Sequence, residues 1–330
     1  MCKRVNGWRN MEESLHAEIK QCLAIAQNIL LVSHVRPDGD AIGALLAFGL
    51  ALQEAGKKVQ MVLADGVPSS FRHLPGSDQV RKSPQGSFDL VVTLDCADLK
   101  RAGKSLDGYG KPDLNIDHHV TNERFGTLNL IEPDAVATSS ILFRHLPEWG
   151  YALTQPVAAN LVTGIVTDTL GFRTTNTTPE ALRQVAALME LGVDMTNLYY
   201  RGLVRRTFPA ARYWGAGLSS LQCADGIVWG TLTLADRKKS DYSGNDDADL
   251  INVISSIDDN DISIVFVEQT KRSVKISWRT QNPELDVSRI AVQFGGGGHP
   301  GAAGADVPGT LAEVQERVLA ATRQALQRTA

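Results

Sequence analysis

Short apolar runs that end abruptly in polar residues place the tightest limits on how this chain can fold. Residues 88–94 read FDLVVTL, and residues 29–32 form a second run that stops at Ser33. Both runs have the length and composition of buried β-strands. Residues 59–63 and 114–116 are two further strand candidates. The N-terminal part of the chain therefore contains several predicted strands.

Helical patterns separate these strands. Residues 11–28 place Leu15, Ile19 and Leu23 on one face, as an amphipathic helix does. Because strands alternate with helices, we predict an α/β domain built on a parallel sheet. The further helices that the pattern predicts cover residues 40–55, 138–147, 156–167 and 178–191.

The second half of the chain has a different pattern. Strand-like runs at residues 227–234, 262–267 and 273–278 surround a helix candidate at residues 247–256. Residues 310–328 close the chain as another predicted helix. Strands that are not each followed by a long helix indicate a smaller α+β domain.

The length of the chain also indicates two domains. A chain of 330 residues is longer than a single hydrophobic core usually serves. The helical but irregular stretch in the middle is the natural connection between the two halves. We predict a disordered extension at residues 1–10, a first domain at 11–195, a helical connector at 196–222 and a second domain at 223–330.

The charge balance limits the partners of this protein. Lysine and arginine number 33 and acidic residues 37, so the net charge is −4. Proteins that follow long nucleic acids normally carry a basic face. Any nucleic-acid substrate is therefore expected to be short or to be held by a few local cations, and no long nucleic-acid partner is expected.

The cysteines and the hydropathy point to the cytoplasm. Cys2, Cys22, Cys96 and Cys223 form no CxxC pair, and their spacing suits neither a zinc site nor a disulfide framework. No apolar stretch is as long as a membrane span, and residues 1–10 lack the apolar region of a signal peptide. We expect a cytoplasmic protein without a membrane partner.

The first group of chemically active residues lies in the segment SHVRPDGD, after the first predicted strand. Pro37 and Gly39 prevent a regular helix here, so His34, Asp38 and Asp40 can converge. Open α/β sheets bind ligands at this end of their strands. An aspartate that only caps the next helix is the ordinary alternative. It would explain one aspartate but not the histidine and the second aspartate.

Two more carboxylates end buried segments. Asp95 follows the run FDLVVTL, and Asp168 lies in GIVTDTLG among apolar residues. A carboxylate in such a position is costly unless something neutralises it, and a metal ion does so. For Asp95 the alternatives are a helix cap or a salt bridge with Lys100 or Arg101.

The triplet Asp117-His118-His119 follows another predicted strand. Adjacent side chains on a strand point in opposite directions, so these three cannot all bind one ion. One histidine can be a ligand while its neighbour meets the substrate or supports the ligands. The alternative is a solvated turn.

Taken together, these segments predict a centre with two metal ions. Carboxylates and imidazoles without thiolates suit Mn²⁺, with Mg²⁺ or another divalent ion as the alternative. The donors are more numerous than one ion needs, so two ions bridged by a shared carboxylate, roughly 3.5–4 Å apart, are expected.

The order of these motifs resembles the DHH phosphoesterase superfamily. A second resemblance lies at residues 294–304, FGGGGHPGAAG, which is similar to the glycine-rich motif of the companion DHHA1 domain. The resemblance implies that the first domain is a metal-binding catalytic DHH domain. It also implies that the second is a substrate-binding DHHA1 domain, with a cleft between the two. The residues that carry the first resemblance are His34, Asp38, Asp40, Asp95, Asp117, His118, His119 and Asp168.

The resemblance also implies individual roles. Asp95 would bridge the two ions and His119 would face the substrate phosphate, which makes these two the predicted catalytic residues. The other ligands would be His34 and Asp38 for one ion and Asp40, His118 and Asp168 for the second.

The glycine-rich motif and one arginine are the predicted substrate contacts. Consecutive glycines let backbone N–H groups approach an anion closely, although a flexible loop is the alternative. Arg279, after a predicted strand, is the candidate cation for a phosphate or a base. The substrate-binding set is His119, Arg279, Gly295, Gly296, Gly297, Gly298 and His299.

One position departs from the family pattern, and three histidines lie outside it. Relatives carry glycine near Leu170, which puts the shape of the loop after Asp168 in doubt. His16, His73 and His145 have no motif around them, so we interpret them as surface or packing residues.

Chain size and the two-part layout resemble the nano-RNase branch of this family. That resemblance implies hydrolysis of short oligoribonucleotides to mononucleotides and of 3′-phosphoadenosine-5′-phosphate to AMP by a metal-activated water. It also implies a homodimer. The main alternative is a phosphodiesterase for cyclic or linear dinucleotides such as c-di-AMP or pApA, which the sequence does not separate from the first activity.

Three other interpretations are weaker. A manganese pyrophosphatase would lack the four-glycine motif, and a long-strand exonuclease would need further DNA-binding domains. A non-catalytic nucleotide sensor could lose Asp95 or Asp168 at little cost, whereas both are present.

Overall fold

The computed structural model describes residues 2–258 and 260–327, with side chains from Ser14 onward. A disordered extension was expected at residues 1–10. Met1 lies outside this description, and the backbone of residues 2–10 is the start of a helix that runs to Ile25.

The chain divides into two compact units, one ending at Arg205 and the other beginning at Arg206. The division falls inside the connector predicted at residues 196–222. The exact domain boundaries stay predictions.

A parallel sheet forms the centre of the first unit, as predicted. Its strands are β1 (Asn28–Val32), β2 (Lys58–Val62), β3 (Leu90–Leu94), β4 (Leu114–Asp117) and β5 (Leu128–Ile131). Their order across the sheet is β2-β1-β3-β4-β5, and every pairing is parallel. Strand β3 is buried along its whole length. Strand β5 was not predicted, because only one of its residues is fully buried and its apolar pattern is weak.

Four helices of the first unit match the predicted ones closely, whereas the first helix does not. Helix α2 (Gly39–Glu54) is buried almost throughout and packs against α4 (Gln155–Asp168), where a Cβ on Gly43 would lie 2.5 Å from the carbonyl oxygen of Asn160. Glycine is therefore required at this helix crossing. The helices are α1 (Cys2–Ile25), α2 (Gly39–Glu54), α3 (Thr138–Trp149), α4 (Gln155–Asp168), α5 (Pro179–Glu190) and α6 (Met195–Tyr199), followed by a π-helical turn at Tyr200–Val204.

The end of the first helix differs from its prediction. Helix α1 stops at Ile25 instead of continuing to residue 28. The backbone N–H groups of Gln27 and Asn28 donate to the carboxylate of Asp89, at 3.0 and 2.9 Å, as β1 begins. This long-range contact ends the helix at a point that local sequence does not reveal.

The second unit is a mixed α+β structure, as predicted. Its helices are α7 (Phe208–Ser219), α8 (Leu234–Lys239), α9 (Leu250–Ile254), α10 (Val287–Val292) and α11 (Leu311–Gln327). Its strands are β6 (Gln222–Ala224), β7 (Ile227–Leu232), β8 (Ile262–Thr270), β9 (Ser273–Arg279), β10 (Gly297–His299) and β11 (Ala302–Pro308). They form one sheet in the order β10-β11-β9-β8-β7-β6, in which only β7 and β8 pair in parallel.

Two elements of the second unit are shorter than predicted. Helix α9 begins at Leu250 and not at residue 247, because Ala248 and Asp249 have positive φ angles of 52° and 65°. Strand β7 ends early because Thr233 caps α8 in a reciprocal capping box with Asp236. Among the described residues, no helix is both long and apolar enough to cross a membrane.

His145 is a buried packing residue of α3 held between two carboxylates. Its Nδ1 lies 2.8 Å from Glu148 and its Nε2 lies 2.7 Å from Glu132, while Arg144 also pairs with Glu132. Burial works against a charged ring, but the two glutamates raise the pKa of His145 above its usual value. The imidazolium form is therefore stabilised in the folded protein.

Replacing this histidine should change how stability depends on pH. The pKa of His145 is higher in the folded than in the unfolded chain. Its stabilising contribution is therefore complete below the unfolded pKa of about 6.5 and is lost as pH rises through the folded pKa. His145→Gln should lower the free energy of unfolding by roughly 1–3 kcal/mol near pH 6 and by less near pH 9. Urea unfolding of both proteins across this range measures the difference, and a gap that widens toward high pH would contradict the assignment.

Candidate functional site

Three neighbouring strands end at the same edge of the first sheet and deliver polar side chains there. His34 is the second residue after β1, Asp95 directly follows β3, and Asp117 is the last residue of β4. Because the strands are parallel, their carboxyl ends meet, which is where open α/β sheets bind ligands. Helix α4 ends at Asp168 and contributes to the same place.

Hydrogen bonds between neighbouring strands continue up to the site. The hydroxyl of Ser33 donates to the carbonyl of Leu94 at 2.8 Å, and the N–H of Asp95 donates to the carbonyl of Ile116 at 2.9 Å. Asp95 itself has a φ of 56°, in the left-handed region that aspartate enters more readily than most residues. The chain therefore turns at the point where this carboxylate leaves the strand.

Asp38 performs two tasks. Its Oδ1 accepts hydrogen bonds from the N–H groups of Asp40 and Ala41, at 3.1 and 3.0 Å, and so caps α2. Its Oδ2 lies 3.7 Å from Nε2 of His34. The ordinary explanation of this aspartate as a helix cap is thus correct for one oxygen, and the other oxygen faces the histidine.

One group of donor atoms comprises His34, Asp38 and Asp95. The ligand atoms of these three residues all lie within 4.8 Å of one another. The Nδ1 of His34 lies 2.9 Å from the carbonyl of Val35, and its Nε2 is 3.4 Å from Oδ2 of Asp95. This Nε2 is buried and has no hydrogen-bond partner of good geometry among the described residues. The nitrogen therefore has the environment of a metal ligand.

A second group comprises Asp40, His118 and Asp168. The Nε2 of His118 lies 4.0 Å from Oδ2 of Asp40, 3.5 Å from Oδ2 of Asp168 and 3.6 Å from Oδ1 of Asp95. Its Nδ1 lies 3.2 Å from the carbonyl of Ala135, which fixes the ring. The two oxygens of Asp95 thus face different groups, Oδ2 toward His34 and Oδ1 toward His118.

Burial makes the charge of the site unfavourable without a cation. His34, Asp40, Asp95 and His118 are each no more than 2% exposed. Burial and the charge of Asp95 raise the pKa of Asp40 to about 7. Burial and the charge of Asp40 also raise the pKa of Asp168.

The pKa values of Asp95 and His118 shift so that both groups favour their charged forms. Burial opposes the ionisation of Asp95, but the adjacent His34 and His119 rings lower its pKa below the usual range. Burial opposes the protonation of His118, but Asp95 and Asp40 raise its pKa. The carboxylates of the site therefore outnumber its positive charges. Divalent cations would balance the charge, and they fit this set of oxygen and imidazole donors.

The beginning of α3 holds two of these carboxylates, a contact that sequence reasoning missed. The N–H groups of Thr138 and Ser139 donate to Asp40 at 2.6 and 3.0 Å, and the hydroxyl of Thr138 donates to Asp95 at 3.2 Å. A Cβ on Gly164 would lie 2.0 Å from the hydroxyl of Ser139. The run Thr-Ser-Ser at the start of a predicted helix was the available signal, because helix N-termini bind anions.

The three residues 117–119 make different contacts. His118 joins the second donor group, whereas Nδ1 of His119 lies 2.7 Å from Oδ1 of Asp117. Asp117 is fully buried, and His119 is 9% exposed. Asp117 therefore supports His119.

Two of the predicted substrate-binding residues lie side by side in the second unit. Arg279 ends β9 and is in register with Ala302 of β11, which is in register with His299 of β10. Arg279 and His299 therefore flank the same position of the sheet.

The second half of the glycine-rich segment, Gly297–His299, is strand β10, which pairs antiparallel with β11. A Cβ on Gly296 would lie 2.1 Å from the carbonyl of Gly304, and one on Gly298 would lie 2.4 Å from that of Ala302. Gly298 also has a φ of 145°. Close backbone packing thus requires glycine at two of the four positions, and Gly295 and Gly297 have open space around them.

The backbone at the departure, Leu170, is left-handed. Leu170, Gly171 and Phe172 have φ angles of 49°, 72° and 68°. The loop after Asp168 therefore keeps a backbone that favours glycine, although Leu170 carries a side chain.

Comparisons with known proteins agree with this arrangement. The DHH family, N-terminal domain, matches residues 28–165, and the DHHA1 domain matches residues 231–328. A bifunctional oligoribonuclease and PAP phosphatase of Thermus thermophilus is 37% identical over 97% of this chain and 96% of its own. A protein of the same name from Bacillus subtilis is 24% identical over 89% of this chain and 93% of its own.

A solved structure is also similar. The exopolyphosphatase-related protein of Bacteroides fragilis superposes with a TM-score of 0.81 at 26% identity, and the match covers 96% of both chains.

Proposed function

Because this chain belongs to the DHH family and carries a DHH and a DHHA1 domain in that order, we propose that it is a metal-dependent phosphoesterase. Its substrates are short oligoribonucleotides, which it hydrolyses to mononucleotides, and 3′-phosphoadenosine-5′-phosphate, which it hydrolyses to AMP. One observation carries the proposal: the two oxygens of Asp95 face two separate donor groups. A carboxylate so placed fits a centre with two metal ions.

The residues present would hold two divalent ions, for which Mn²⁺ is our choice. His34 and Asp38 would bind one, Asp40, His118 and Asp168 the other, and Asp95 both. When bound, the ions supply Lewis-acid polarisation of a phosphate and lower the pKa of a water molecule. Five of the six side chains are held by hydrogen bonds to backbone or hydroxyl groups, namely His34, Asp38, Asp40, Asp95 and His118. Asp168 lies 3.5 Å from Nε2 of His118.

Water is the nucleophile that the site favours. Cys96, next to Asp95, is fully buried, and burial raises the pKa of its thiol. A buried thiol of this kind does not attack phosphorus. The role of His119 is to donate a hydrogen bond to a phosphate oxygen as charge develops there.

The second unit supplies nucleotide contacts. Arg279 and His299 flank one position of its sheet, and Gly295 and Gly297 leave their backbone open. We assign these groups to the sugar, base or terminal phosphate of the substrate.

Short RNA is favoured over dinucleotide second messengers by the relatives. The proteins of T. thermophilus and B. subtilis are named for oligoribonuclease and PAP phosphatase activity. Hydrolysis of pApA or c-di-AMP by the same centre remains the second candidate, and parallel assays on these compounds separate the two.

Replacing Asp95 tests the bridging role. Asparagine tolerates the left-handed backbone at this position but cannot bridge two ions. Asp95→Asn should therefore bind fewer than two Mn²⁺ per chain and lose at least about 100-fold in kcat while remaining folded. Elemental analysis, circular dichroism and the rate of mononucleotide release measure these effects.

Asp89→Asn is the matched control, because Asp89 lies just before the other end of β3 and accepts hydrogen bonds from the backbone N–H groups of Gln27 and Asn28. Its metal content and kcat should equal those of the wild type. Full metal content with unchanged turnover in Asp95→Asn would refute the bridging role.

Another prediction concerns substrate length. With a net charge of −4, the protein gains little from broad attraction to a long polyanion. Single-turnover cleavage of 5′-labelled RNA should be much faster for about two to four nucleotides than for about twenty at the same Mn²⁺ and salt. A rate that stays flat or rises with length would instead indicate an extended binding track and a processive exonuclease.

A further inference from the structure

Asn122 ties together the two loops that carry Asp95 and His119. Its Nδ2 donates to Oδ2 of Asp117 at 2.5 Å and to the carbonyl of Cys96 at 2.9 Å. The backbone N–H of Asn122 donates to the carbonyl of His119 at 3.1 Å. One half-buried amide therefore contacts the loop after β3 and the loop after β4.

The amide of Asn122 uses all its hydrogen-bonding capacity. Both N–H groups are donated, as above, and its Oδ1 accepts from Nδ2 of Asn115 at 3.2 Å and from the N–H of Arg124 at 2.7 Å. An amide with fixed partners on both ends has one orientation. It therefore presents its N–H groups to Asp117 without rotating.

The contacts continue into the sheet. The hydroxyl of Thr93 donates to Oδ1 of Asn115 at 3.0 Å, and these two residues are directly paired across β3 and β4. Thr93, Asn115 and Asp117 are each 0% exposed. Buried polar groups in a sheet interior are unfavourable unless they are hydrogen-bonded. The hydrogen bonds along this line of side chains offset that cost.

The line ends at His119. Both oxygens of Asp117 are occupied: Oδ2 by Asn122, and Oδ1 by the N–H of His118 at 2.8 Å and by Nδ1 of His119 at 2.7 Å. The imidazole cannot turn without giving up its bond to Asp117, and Asp117 cannot turn without leaving Asn122.

We propose that Asn122 is a positioning residue that acts through Asp117 to hold His119 in the orientation in which it meets the substrate phosphate. This rests on the proposed function of the site. Within the described part of the chain, the hydrogen bonds of the Asn122 side chain go to Asp117, Cys96, Asn115 and Arg124, none of which is a proposed metal ligand. Its effect is therefore on the rate of the chemical step and not on metal binding.

Asn122→Asp tests this with little change of shape. The aspartate keeps an acceptor for Asn115 and Arg124 but replaces both donated N–H groups with an oxygen that repels Asp117. With a diribonucleotide and Mn²⁺, kcat should fall roughly 10- to 100-fold while KM changes less than about threefold. Two Mn²⁺ should remain bound per chain.

Asn129→Asp is the matched control. Asn129 is also half-buried, and among the described residues its side-chain amide bonds only the N–H and the carbonyl of Gly126. Asn129 faces Asn115 through the backbone pairing of β4 and β5, which the substitution leaves in place. The same chemical change there should therefore leave kcat within about twofold of the wild type.

A double-mutant cycle separates positioning from a general effect on the fold. In a His119→Gln background, Asn122→Asp should lower kcat by less than about twofold, since the residue on which it acts is gone. Equal losses in both backgrounds, or an unchanged kcat in an active protein, would overturn the proposal. If Asn122→Asp does not fold, Asn122→Ser serves in the same cycle with the same expectation.

The activity of the wild type distinguishes a failure of the proposed function from a failure of the role of Asn122. An inactive wild type with two bound Mn²⁺ would remove the proposed function and this proposal with it. An active wild type with an additive cycle would remove only the role of Asn122.

Discussion

The first unit depends on one unfavourable feature, a buried carboxylate at the end of the central strand. Asp95 is 1% exposed and lies between His34 and His118. Asp40 is equally buried, and Asp168 is close to both. So much negative charge is stable in a protein interior only with compensating cations. The parallel sheet brings these groups to one edge, and the chemistry of the site follows from their proximity.

The surrounding residues hold these carboxylates without neutralising them. Asp40 receives two N–H groups from the start of α3, and Asp38 caps α2 with one of its oxygens. His34 and His118 each place Nδ1 against a backbone carbonyl and direct Nε2 toward the carboxylates. Preorganised donors of this kind cost little reorganisation when a cation or a developing charge arrives. The hydrogen bonds that orient the proposed ligands are as specific as the ligands themselves.

The parts of this arrangement that depend on local sequence pattern could be predicted from the sequence. Apolar runs ending in polar residues predicted β1, β3 and β4 and the groups at their ends, and the periodicity of residues 40–55 predicted α2. The glycine run was noticed as a motif, but its closeness to Gly304 was not visible, so β10 and β11 were missed.

The supporting contacts could not be predicted in the same way. Thr138 and Asp40 are 98 residues apart, and the bond between them uses a backbone N–H that every residue type provides. Asn122 lies in a polar stretch that reads as an ordinary loop, and its role appears only when Cys96 and Asp117 are adjacent in space. Similarly, the N–H groups that end α1 find their acceptor at Asp89. Long-range hydrogen bonds leave no periodic signal in a sequence.

The central claim, that Asp95 bridges two cations, is tested most directly by diffraction from crystals grown with Mn²⁺. Anomalous difference maps should show two peaks in the first unit, roughly 3.5–4 Å apart. One should lie beside His34 and Asp38, the other beside Asp40, His118 and Asp168, with an oxygen of Asp95 bound to each. A single peak, or two peaks with Asp95 bound to only one of them, would contradict the account.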